Sequence, residues 1–302
     1  MSESVAKVLA VIGGKGGTGK TLLAVNLAYG LRRRGRTLLV DVDVDNPCSR
    51  TFIKSRPVSR EIVKEFRPKI DENRCRLCGL CVQSCHQHAL ILIPGKKILL
   101  MPELCEGCGV CRLVCPFQAI DASWVEAGYI EEHKVMDGLD AVIGELKPTT
   151  RRTPVMILKT LRYAEKKFRD YDYVVIDSPP GTGSGIYAVM SFSDLIVAVT
   201  EPTRLGLTDF MKLYKLYERA GAGEMFVMVN KSGLRGEMRD ELEKHLREVG
   251  VSWIEVPYDE KVVKAYVEGS ILIESYPESP AAEALKAFIE RILEKLSKKT
   301  PP

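Results

Sequence analysis

The sequence carries little excess charge of either sign. Its 44 Lys and Arg side chains are matched by 40 Asp and Glu side chains, so the formal net charge at pH 7 is only +4. Nucleic-acid binding through bulk electrostatics needs a much stronger basic excess. We therefore expect no nucleic-acid partner.

Long hydrophobic runs are also missing. The first apolar run, Val8–Ile12, has five residues, whereas a signal-peptide core needs about 7–15 and a membrane span about 20. The amphipathic stretch Ala281–Leu296 is expected to pack on the protein itself, so we do not expect membrane binding. These absences predict a cytoplasmic protein.

Cysteine is nearly absent outside one short segment. Of the nine cysteines, eight lie between Cys75 and Cys115, and only Cys48 lies elsewhere. Thiols stay reduced in the cytoplasm, where clustered cysteines bind metals rather than each other. The distribution therefore predicts a metal centre in this segment, and Cys48 is expected to be a small buried thiol.

The rest of the chain alternates between predicted strands and predicted helices. Of its 302 residues, 45% are hydrophobic and 28% charged, as in ordinary globular domains. Continuous apolar runs are typical of strands buried on both faces, and they cover Val8–Ile12, Thr37–Val40, Tyr173–Ile176, Leu195–Thr200, Met225–Val229 and Trp253–Val256. Helical spacing covers Thr21–Arg34, Pro154–Phe168, Leu207–Ala220, Glu237–Val249 and Ala281–Leu296. The alternation predicts an α/β fold with a mostly parallel, doubly wound sheet that binds ligands at the carboxyl ends of its strands.

A glycine-rich loop joins the first predicted strand to the first predicted helix. Its core, Gly14-x-x-x-x-Gly19-Lys20-Thr21, matches the phosphate-binding P-loop. In such loops glycine lets backbone N–H groups surround the phosphates, the lysine neutralises their charge, and the hydroxyl ligates Mg²⁺. The predicted nucleotide-binding residues of the loop are Gly14, Lys15, Gly16, Gly17, Thr18, Gly19, Lys20 and Thr21.

A second lysine, Lys15, lies inside this loop. The stretch Lys15–Thr21 resembles the loop of the MinD/ParA/Mrp group of P-loop ATPases, Lys-Gly-Gly-x-Gly-Lys-[Ser/Thr], at every position. The resemblance covers residues 5–50 and about 125–295. It implies ATP hydrolysis by a homodimer in the ATP state, with Lys15 reaching the phosphates of the partner subunit. It therefore implies catalytic roles for both Lys15 and Lys20.

Two acidic motifs follow predicted strands. Asp177 ends one apolar run, and Asp41-Val-Asp43-Val-Asp45 follows another. Carboxylates at the ends of parallel strands meet at the phosphate site. The resemblance implies that Asp177, Asp43 and Thr21 approach Mg²⁺, and that Asp43 also orients the attacking water as a catalytic residue. The residues alone leave open which of Asp41, Asp43 and Asp45 does this chemistry.

The base is predicted to be adenine. The motif Asn230-Lys231-Ser-Gly233 follows a predicted strand, as the guanine-reading Asn-Lys-x-Asp motif does, but it has glycine where that motif has aspartate. In the resembled ATPases the positions of Asn230 and of the loop containing Pro257 flank the base. We therefore expect Asn230 and Pro257 to bind ATP, with Mg²⁺ as its companion ion.

The cysteine-rich segment is a two-unit repeat. Cys75–Cys85 and Cys105–Cys115 both read Cys-x2-Cys-x2-Cys-x3-Cys, offset by 30 residues. In two-cluster iron–sulfur proteins the first three cysteines of such a run hold one cluster and the fourth holds the other. The spacing therefore predicts two [4Fe–4S] clusters, one on Cys75, Cys78, Cys81 and Cys115 and the other on Cys85, Cys105, Cys108 and Cys111. Zinc is the alternative, although zinc sites use separated Cys-x2-Cys pairs.

The same segment resembles bacterial two-cluster ferredoxins, including the pair Cys115-Pro116. We therefore expect a small inserted ferredoxin-like α+β domain at residues 67–122, dividing a P-loop ATPase domain of residues 1–66 and 123–302. One hairpin is predicted within the insert, from Ala89–Ile93 to Ile98–Met101. His86 stands where ferredoxins usually have proline, and we expect both His86 and His88 to be solvated.

Two functions are compatible with these features. In the first, nucleotide binding changes how a fixed two-cluster electron-transfer module meets an unidentified redox or iron–sulfur protein partner. In the second, the protein is an iron–sulfur cluster carrier or a partner-positioning ATPase of the Mrp/MinD type. Mrp-type carriers often keep a Cys-x2-Cys motif near the C terminus, whereas no cysteine follows Cys115 here. This difference favours the redox ATPase.

Overall fold

The structure is a computed structural model that describes residues 6–148, 153–234 and 237–298. Its strands are β1 (Lys7–Ile12), β2 (Thr37–Asp41), β3 (Arg56–Ile70), β4 (Leu90–Ile93), β5 (Lys97–Leu100), β6 (Ile120–Met136), β7 (Leu139–Leu146), β8 (Tyr173–Asp177), β9 (Leu195–Thr200), β10 (Glu224–Asn230) and β11 (Ser252–Val256). Its α-helices are α1 (Lys20–Leu31), α2 (Ser49–Phe52), α3 (Leu80–Gln83), α4 (Val110–Leu113), α5 (Thr153–Glu165), α6 (Ser184–Ser191), α7 (Arg204–Ala220), α8 (Glu237–Glu248), α9 (Glu260–Glu268), α10 (Leu272–Ser275) and α11 (Pro280–Lys298).

One large sheet organises the fold. Its strand order is β11-β10-β9-β1-β8-β2-β7-β6-β3, and every pair from β11 to β7 is parallel. All six predicted strands are present, so the prediction of a mostly parallel α/β sheet is confirmed. Because β1 lies between β8 and β9, the loop that follows β1 opens at the middle of the sheet.

Three strands of the large sheet, β3, β6 and β7, were not predicted. They form its antiparallel end, in which β6 pairs with both β3 and β7. The strand β3 is exposed along most of its first half and carries charges throughout, so it has no continuous apolar run. Along β7, Asp140 and Glu145 interrupt an otherwise apolar sequence. Continuous apolar runs are typical of strands buried on both faces, so they are absent from β3, an edge strand that solvent reaches, and are interrupted by the two carboxylates in the buried strand β7.

Helices cover both faces of the sheet, which confirms the doubly wound arrangement. The apolar faces of α1 and α11 pack on one side, and those of α5, α6 and α7 pack on the other. Phe288 of α11 is fully buried against Phe226 of β10, as expected for a helix that packs on the protein itself. The helix α1 ends at Leu31, three residues before the predicted end. No helix in the described ranges is long and apolar enough to span a membrane.

Residues 71–119, which we call the cysteine module, lie between β3 and β6. The module contains α3, α4 and the predicted hairpin, in which β4 and β5 pair antiparallel. Its backbone repeats at the 30-residue offset, because left-handed φ angles occur at Gly79 (78°) and Gly109 (79°) and again at His88 (49°) and Gln118 (48°). The ribbon of β3 and β6 enters and leaves the module, and positions 67 and 122 both lie within that ribbon.

Candidate nucleotide site and cysteine centre

A cavity of about 800 Å³ opens at the carboxyl ends of the central strands. Of the residues expected to bind nucleotide, those that line it are Gly16, Gly17, Gly19, Lys20, Thr21 and Asn230. Asp43 also lines it, whereas Pro257, just after β11, is not among its lining residues in the described part of the chain. The predicted phosphate loop therefore lies at the edge of the sheet where α/β folds bind ligands.

Asn230, the last residue of β10, stabilises the P-loop. Its Nδ2 donates a hydrogen bond to the Thr18 carbonyl at 2.8 Å, and its Oδ1 accepts one from the Lys231 N–H at 2.9 Å. Gly19 has φ 99°, and a Cβ there would lie 2.6 Å from the Asn230 Nδ2. Glycine is thus required at position 19 by both backbone conformation and close approach. The Asn230 amide contacts the loop backbone as well as lining the cavity.

Lys20 is buried at the start of α1. Its Nζ donates a hydrogen bond to the Lys15 carbonyl at 2.9 Å. Burial lowers the pKa of the Lys20 ammonium, although the nearby carboxylates of Asp177 and Asp43 oppose this effect. A cation held in this way is preorganised for an anionic ligand such as a phosphate group.

Lys15 is paired with a residue that the sequence analysis did not identify. Its Nζ lies 2.8 Å from the Glu201 Oε2, and the Lys231 Nζ lies 2.7 Å from the Glu201 Oε1. The Glu201 side chain is only 7% exposed. Its position directly after the buried strand β9 is the signal that could have identified it, since the same rule selected Asp177.

The three aspartates at and just after the end of β2 have different surroundings. Asp41 is fully buried, and its Oδ2 accepts hydrogen bonds from the Ser49 N–H at 3.1 Å and the Ser49 hydroxyl at 2.6 Å. Asp45 accepts a hydrogen bond from the Thr153 hydroxyl at 2.9 Å. Asp43 is half-buried and faces the cavity, and its side chain accepts no hydrogen bond within the described residues. Burial, followed by the charge of Asp41, raises the pKa of Asp43 to about 7.

Asp177, at the end of β8, has the environment of a cation ligand. It is fully buried, and neither carboxylate oxygen has a hydrogen-bond partner in the described ranges. Burial and the charge of Asp41 raise the pKa of Asp177 well above its ordinary value, while the neighbouring Thr21 hydroxyl opposes this rise. A buried carboxylate without a partner is costly. The donor set of Asp177, Asp43 and Thr21 therefore fits Mg²⁺, a hard cation that prefers oxygen ligands.

Cys48 is more exposed than the sequence predicted. It is partly exposed and lines the nucleotide cavity, so it is not the buried thiol that the sequence predicted. Burial of its sulfur, followed by the charges of Asp41 and Asp43, raises the pKa of the Cys48 thiol. This thiol is therefore held in its neutral form.

The structure groups the first four predicted cluster ligands. Cys75, Cys78, Cys81 and Cys115 line one small cavity in the cysteine module, although the fourth comes from the other repeat. Burial, followed by the neighbouring thiols of Cys105, Cys108 and Cys81, raises the pKa of Cys111 to about 11. Among the described residues, no group of three or more His, Cys, Asp or Glu side chains is arranged to hold a single metal ion.

Backbone N–H groups point at cysteine sulfurs in both halves of the module. The Ala89 N–H donates to the Cys85 Sγ at 3.3 Å, and the Ala119 N–H donates to the Cys115 Sγ at 3.4 Å. These two contacts are related by the 30-residue repeat. His86 and His88 are both exposed, as expected.

Comparison with known families agrees with the fold and the loop. The family model described as the CobQ/CobB/MinD/ParA nucleotide-binding domain matches residues 9–273. The match covers most of the chain, including the P-loop and the cysteine module. The chain therefore belongs to this family of nucleotide-binding proteins, and its P-loop is of the MinD/ParA type.

Individual relatives span nearly the whole chain. An uncharacterised protein of Methanocaldococcus jannaschii is 27% identical over 89% of this chain and 91% of its own length. An iron–sulfur cluster carrier protein of Pyrococcus horikoshii is 25% identical over 95% of this chain and 86% of its own length. Among solved structures, the cell division ATPase MinD of Pyrococcus furiosus matches with a TM-score of 0.60 and 20% identity, covering 96% of this chain and 99% of that one. The last similarity describes the fold alone.

Proposed function

We propose that this protein is an ATP-hydrolysing P-loop ATPase that dimerises around ATP and carries a fixed two-cluster iron–sulfur module for electron transfer. The observation that carries the proposal is the combination of two sites in one chain. The P-loop cavity is lined by Lys20 and Asp43, with the unpartnered carboxylate of Asp177 buried nearby, and a repeated cysteine module brings four of its eight thiols to one cavity. The family supports nucleotide binding, and the electron-transfer role is our inference from the module.

The nucleotide site supplies the groups that phosphoryl transfer needs. Lys20 would neutralise the phosphates of the bound ATP, and Lys15 would do so from the partner subunit. Thr21, Asp43 and Asp177 would hold Mg²⁺, which supplies charge neutralisation when bound. Asp43 is the aspartate whose carboxylate faces the cavity without a hydrogen-bond partner in the described ranges, so we assign it to orienting the attacking water. Asp41 is engaged by Ser49 instead.

The cysteine module suits four-iron clusters better than zinc. Zinc sites use Cys-x2-Cys pairs that are well separated in sequence, whereas each repeat here is an unbroken run of four cysteines. A [4Fe–4S] cluster instead accepts one thiolate at each iron, and when bound it supplies a one-electron carrier. The N–H groups of Ala89 and Ala119 would stabilise the negative charge on their cysteine sulfurs.

A chain of polar contacts connects the nucleotide site with the ribbon that bears the module. Ser49, which is bonded to Asp41, begins the short helix α2. The next residue, Arg50, forms an ion pair with Glu145 of β7 at 2.6 Å. Glu131 of β6, bonded to Arg60 of β3, lies 3.9 Å from the same guanidinium. We infer that movement of the Asp41–Ser49 segment on ATP binding shifts this ribbon.

The alternative function is an iron–sulfur cluster carrier. The similarity to the carrier protein of Pyrococcus horikoshii over 95% of this chain favours it. The spacing of the cysteines argues against it, since a four-cysteine cage for each cluster leaves no open iron for transfer. No cysteine follows Cys115 that could hold a second, transferable cluster.

An anaerobic experiment separates the two functions. The iron-loaded, reduced protein is mixed with ATP and Mg²⁺, an apo-ferredoxin as cluster acceptor and a one-electron dye. For the redox ATPase we expect nucleotide-dependent oxidation of the module by the dye, with iron retained on the protein. Iron appearing on the acceptor would contradict the redox function and support the carrier. In parallel, Lys15→Ala should abolish ATP hydrolysis while leaving the iron content unchanged, and undiminished hydrolysis would contradict the trans role of Lys15.

A further inference from the structure

Glu201, which directly follows β9, pairs both with Lys15 of the P-loop and with Lys231, which directly follows β10. Each of its carboxylate oxygens is used by a different cation, Oε2 by Lys15 at 2.8 Å and Oε1 by Lys231 at 2.7 Å. Burial alone would raise the pKa of Glu201, but the two ion pairs outweigh it and hold the pKa below its ordinary value. The carboxylate is therefore charged, buried and doubly paired.

The second cation has a fixed position. Lys231 has a left-handed backbone, with φ 54°, and its N–H donates to the Asn230 Oδ1 at 2.9 Å. Asn230 in turn donates to the Thr18 carbonyl in the P-loop at 2.8 Å. Lys231 is thus anchored beside the loop whether or not Lys15 is present.

We propose that Glu201 is a positioning residue that keeps Lys15 on its own subunit until the phosphates of a nucleotide-loaded partner compete for that lysine. The inference rests on the proposed trans role of Lys15. When Lys15 moves to the partner's phosphates, Lys231 still pairs with the buried carboxylate of Glu201, so that carboxylate is not left as an unpaired buried charge. Glu201 thereby sets how readily the dimer forms. Lys231 lowers the free-energy cost of releasing Lys15, because it remains paired with the Glu201 carboxylate.

Two substitutions have opposite expected effects. Glu201→Gln keeps the size of the side chain but removes the charge that holds Lys15, so Lys15 is released more easily. Lys231→Met leaves Lys15 as the main cation on the buried Glu201 carboxylate, so Lys15 is held more tightly. General damage to the fold would instead shift the labelling rate of Lys15 and the dissociation constant of the dimer in the same direction in both variants. Glu132→Gln is the matched control, because it removes a carboxylate paired with Lys167 at 2.8 Å on β6, outside the nucleotide cavity.

The first measurement uses the nucleotide-free protein. Acetylation by limiting acetic anhydride, read by peptide mass spectrometry, reports how free the Lys15 amine is, and the exposed Lys166 serves as the internal reference. We expect Lys15 to be labelled about fivefold faster in Glu201→Gln, and no faster than wild type in Lys231→Met. Equal labelling of Lys15 in wild type and Glu201→Gln would overturn the inference.

The second measurement is the dissociation constant of the dimer formed with a non-hydrolysable ATP analogue and Mg²⁺, obtained by sedimentation velocity. We expect it to fall about fivefold in Glu201→Gln and to rise in Lys231→Met, with Glu132→Gln unchanged. If the wild type dimerises but both variants move in the same direction, the inference is wrong and the proposed function survives. If the wild type stays monomeric at every concentration, the trans role of Lys15 is wrong as well.

Discussion

The sheet domain and the cysteine module are stabilised in different ways. On both faces of the sheet, continuous layers of apolar side chains are buried between strands and helices. The buried apolar cluster of the module consists of Cys81, Leu90 and Ile98, together with Ile120 at the start of β6. A unit of about 50 residues with so small a core needs a metal, a disulfide or another cross-link to be stable. From this difference we infer that the sheet domain is stable without a ligand, and we expect the module to be stable only when its proposed clusters are bound.

The largest predicted effect tests this difference directly. Removing iron with a chelator should reduce the hydrogen-exchange protection of the amides in α3 and α4 by about 1000-fold or more, because the module then loses the clusters that we propose to stabilise it. The amides of β1 and β8 serve as the control and should keep their protection. Exchange followed by mass spectrometry distinguishes the two regions, and a module that stays protected without metal would refute the comparison.

The next effect is confined to the nucleotide site. Lys20→Ala should weaken ATP binding about 100-fold, because it removes a buried cation aimed at the phosphates. Iron content should not change, since the module does not depend on this lysine. Calorimetry measures the affinity, and Lys54→Ala, at an exposed position outside the cavity, is the matched control. Loss of iron in Lys20→Ala would show that the two regions are not independent.

The reciprocal change is made in the module. Cys108→Ala removes one ligand of the second predicted cluster, so iron should fall from about eight to about four atoms per chain. ATP affinity should remain that of the wild type. Cys48→Ala removes the cysteine outside the module and should leave the iron content unchanged. Equal iron loss in both variants, measured by a colorimetric iron assay, would contradict the ligand assignment.

The smallest predicted effect is a pH dependence of the folding stability of the sheet domain. The pKa of Asp43 is raised from 3.8 to about 7 by burial and by Asp41. Between these values Asp43 binds a proton in the folded protein but not in the unfolded chain, so the contribution of Asp43 to the stability of the metal-free protein falls as pH rises from about 4 to 7. Asp43→Asn should remove this contribution and raise the melting temperature at pH 8 by a few degrees.

Comparing the variant with the wild type isolates this effect from other titrating groups. His133 is one of them, because burial lowers its pKa and its contribution to stability therefore increases with pH. The difference in melting temperature between Asp43→Asn and wild type should be larger at pH 8 than at pH 5.5. A difference that is the same at both pH values would contradict the raised pKa of Asp43.

Several features of the site could be predicted because they depend on local spacing. A P-loop binds phosphate with consecutive backbone groups, so Gly14-x-x-x-x-Gly19-Lys20-Thr21 identifies it without knowledge of the fold. The strand that precedes Asp43 and the strand that ends at Asp177 could be recognised because strands buried on both faces are continuous apolar runs. The ribbon strands β3 and β6 were missed because solvent reaches them, so charged residues occupy their faces.

By itself, the sequence determined the phosphate loop, the strand-end carboxylates and the repeated cysteine spacing, since each is set by residues close together in the chain. The tertiary structure decided which distant side chains meet them. Asn230 bonds to the loop carbonyl of Thr18, 212 positions away, because β10 is separated from β1 in the sheet only by β9. The same strand order places Glu201 against Lys15. Strand order follows from the packing of the whole chain, and no local spacing of residues encodes it.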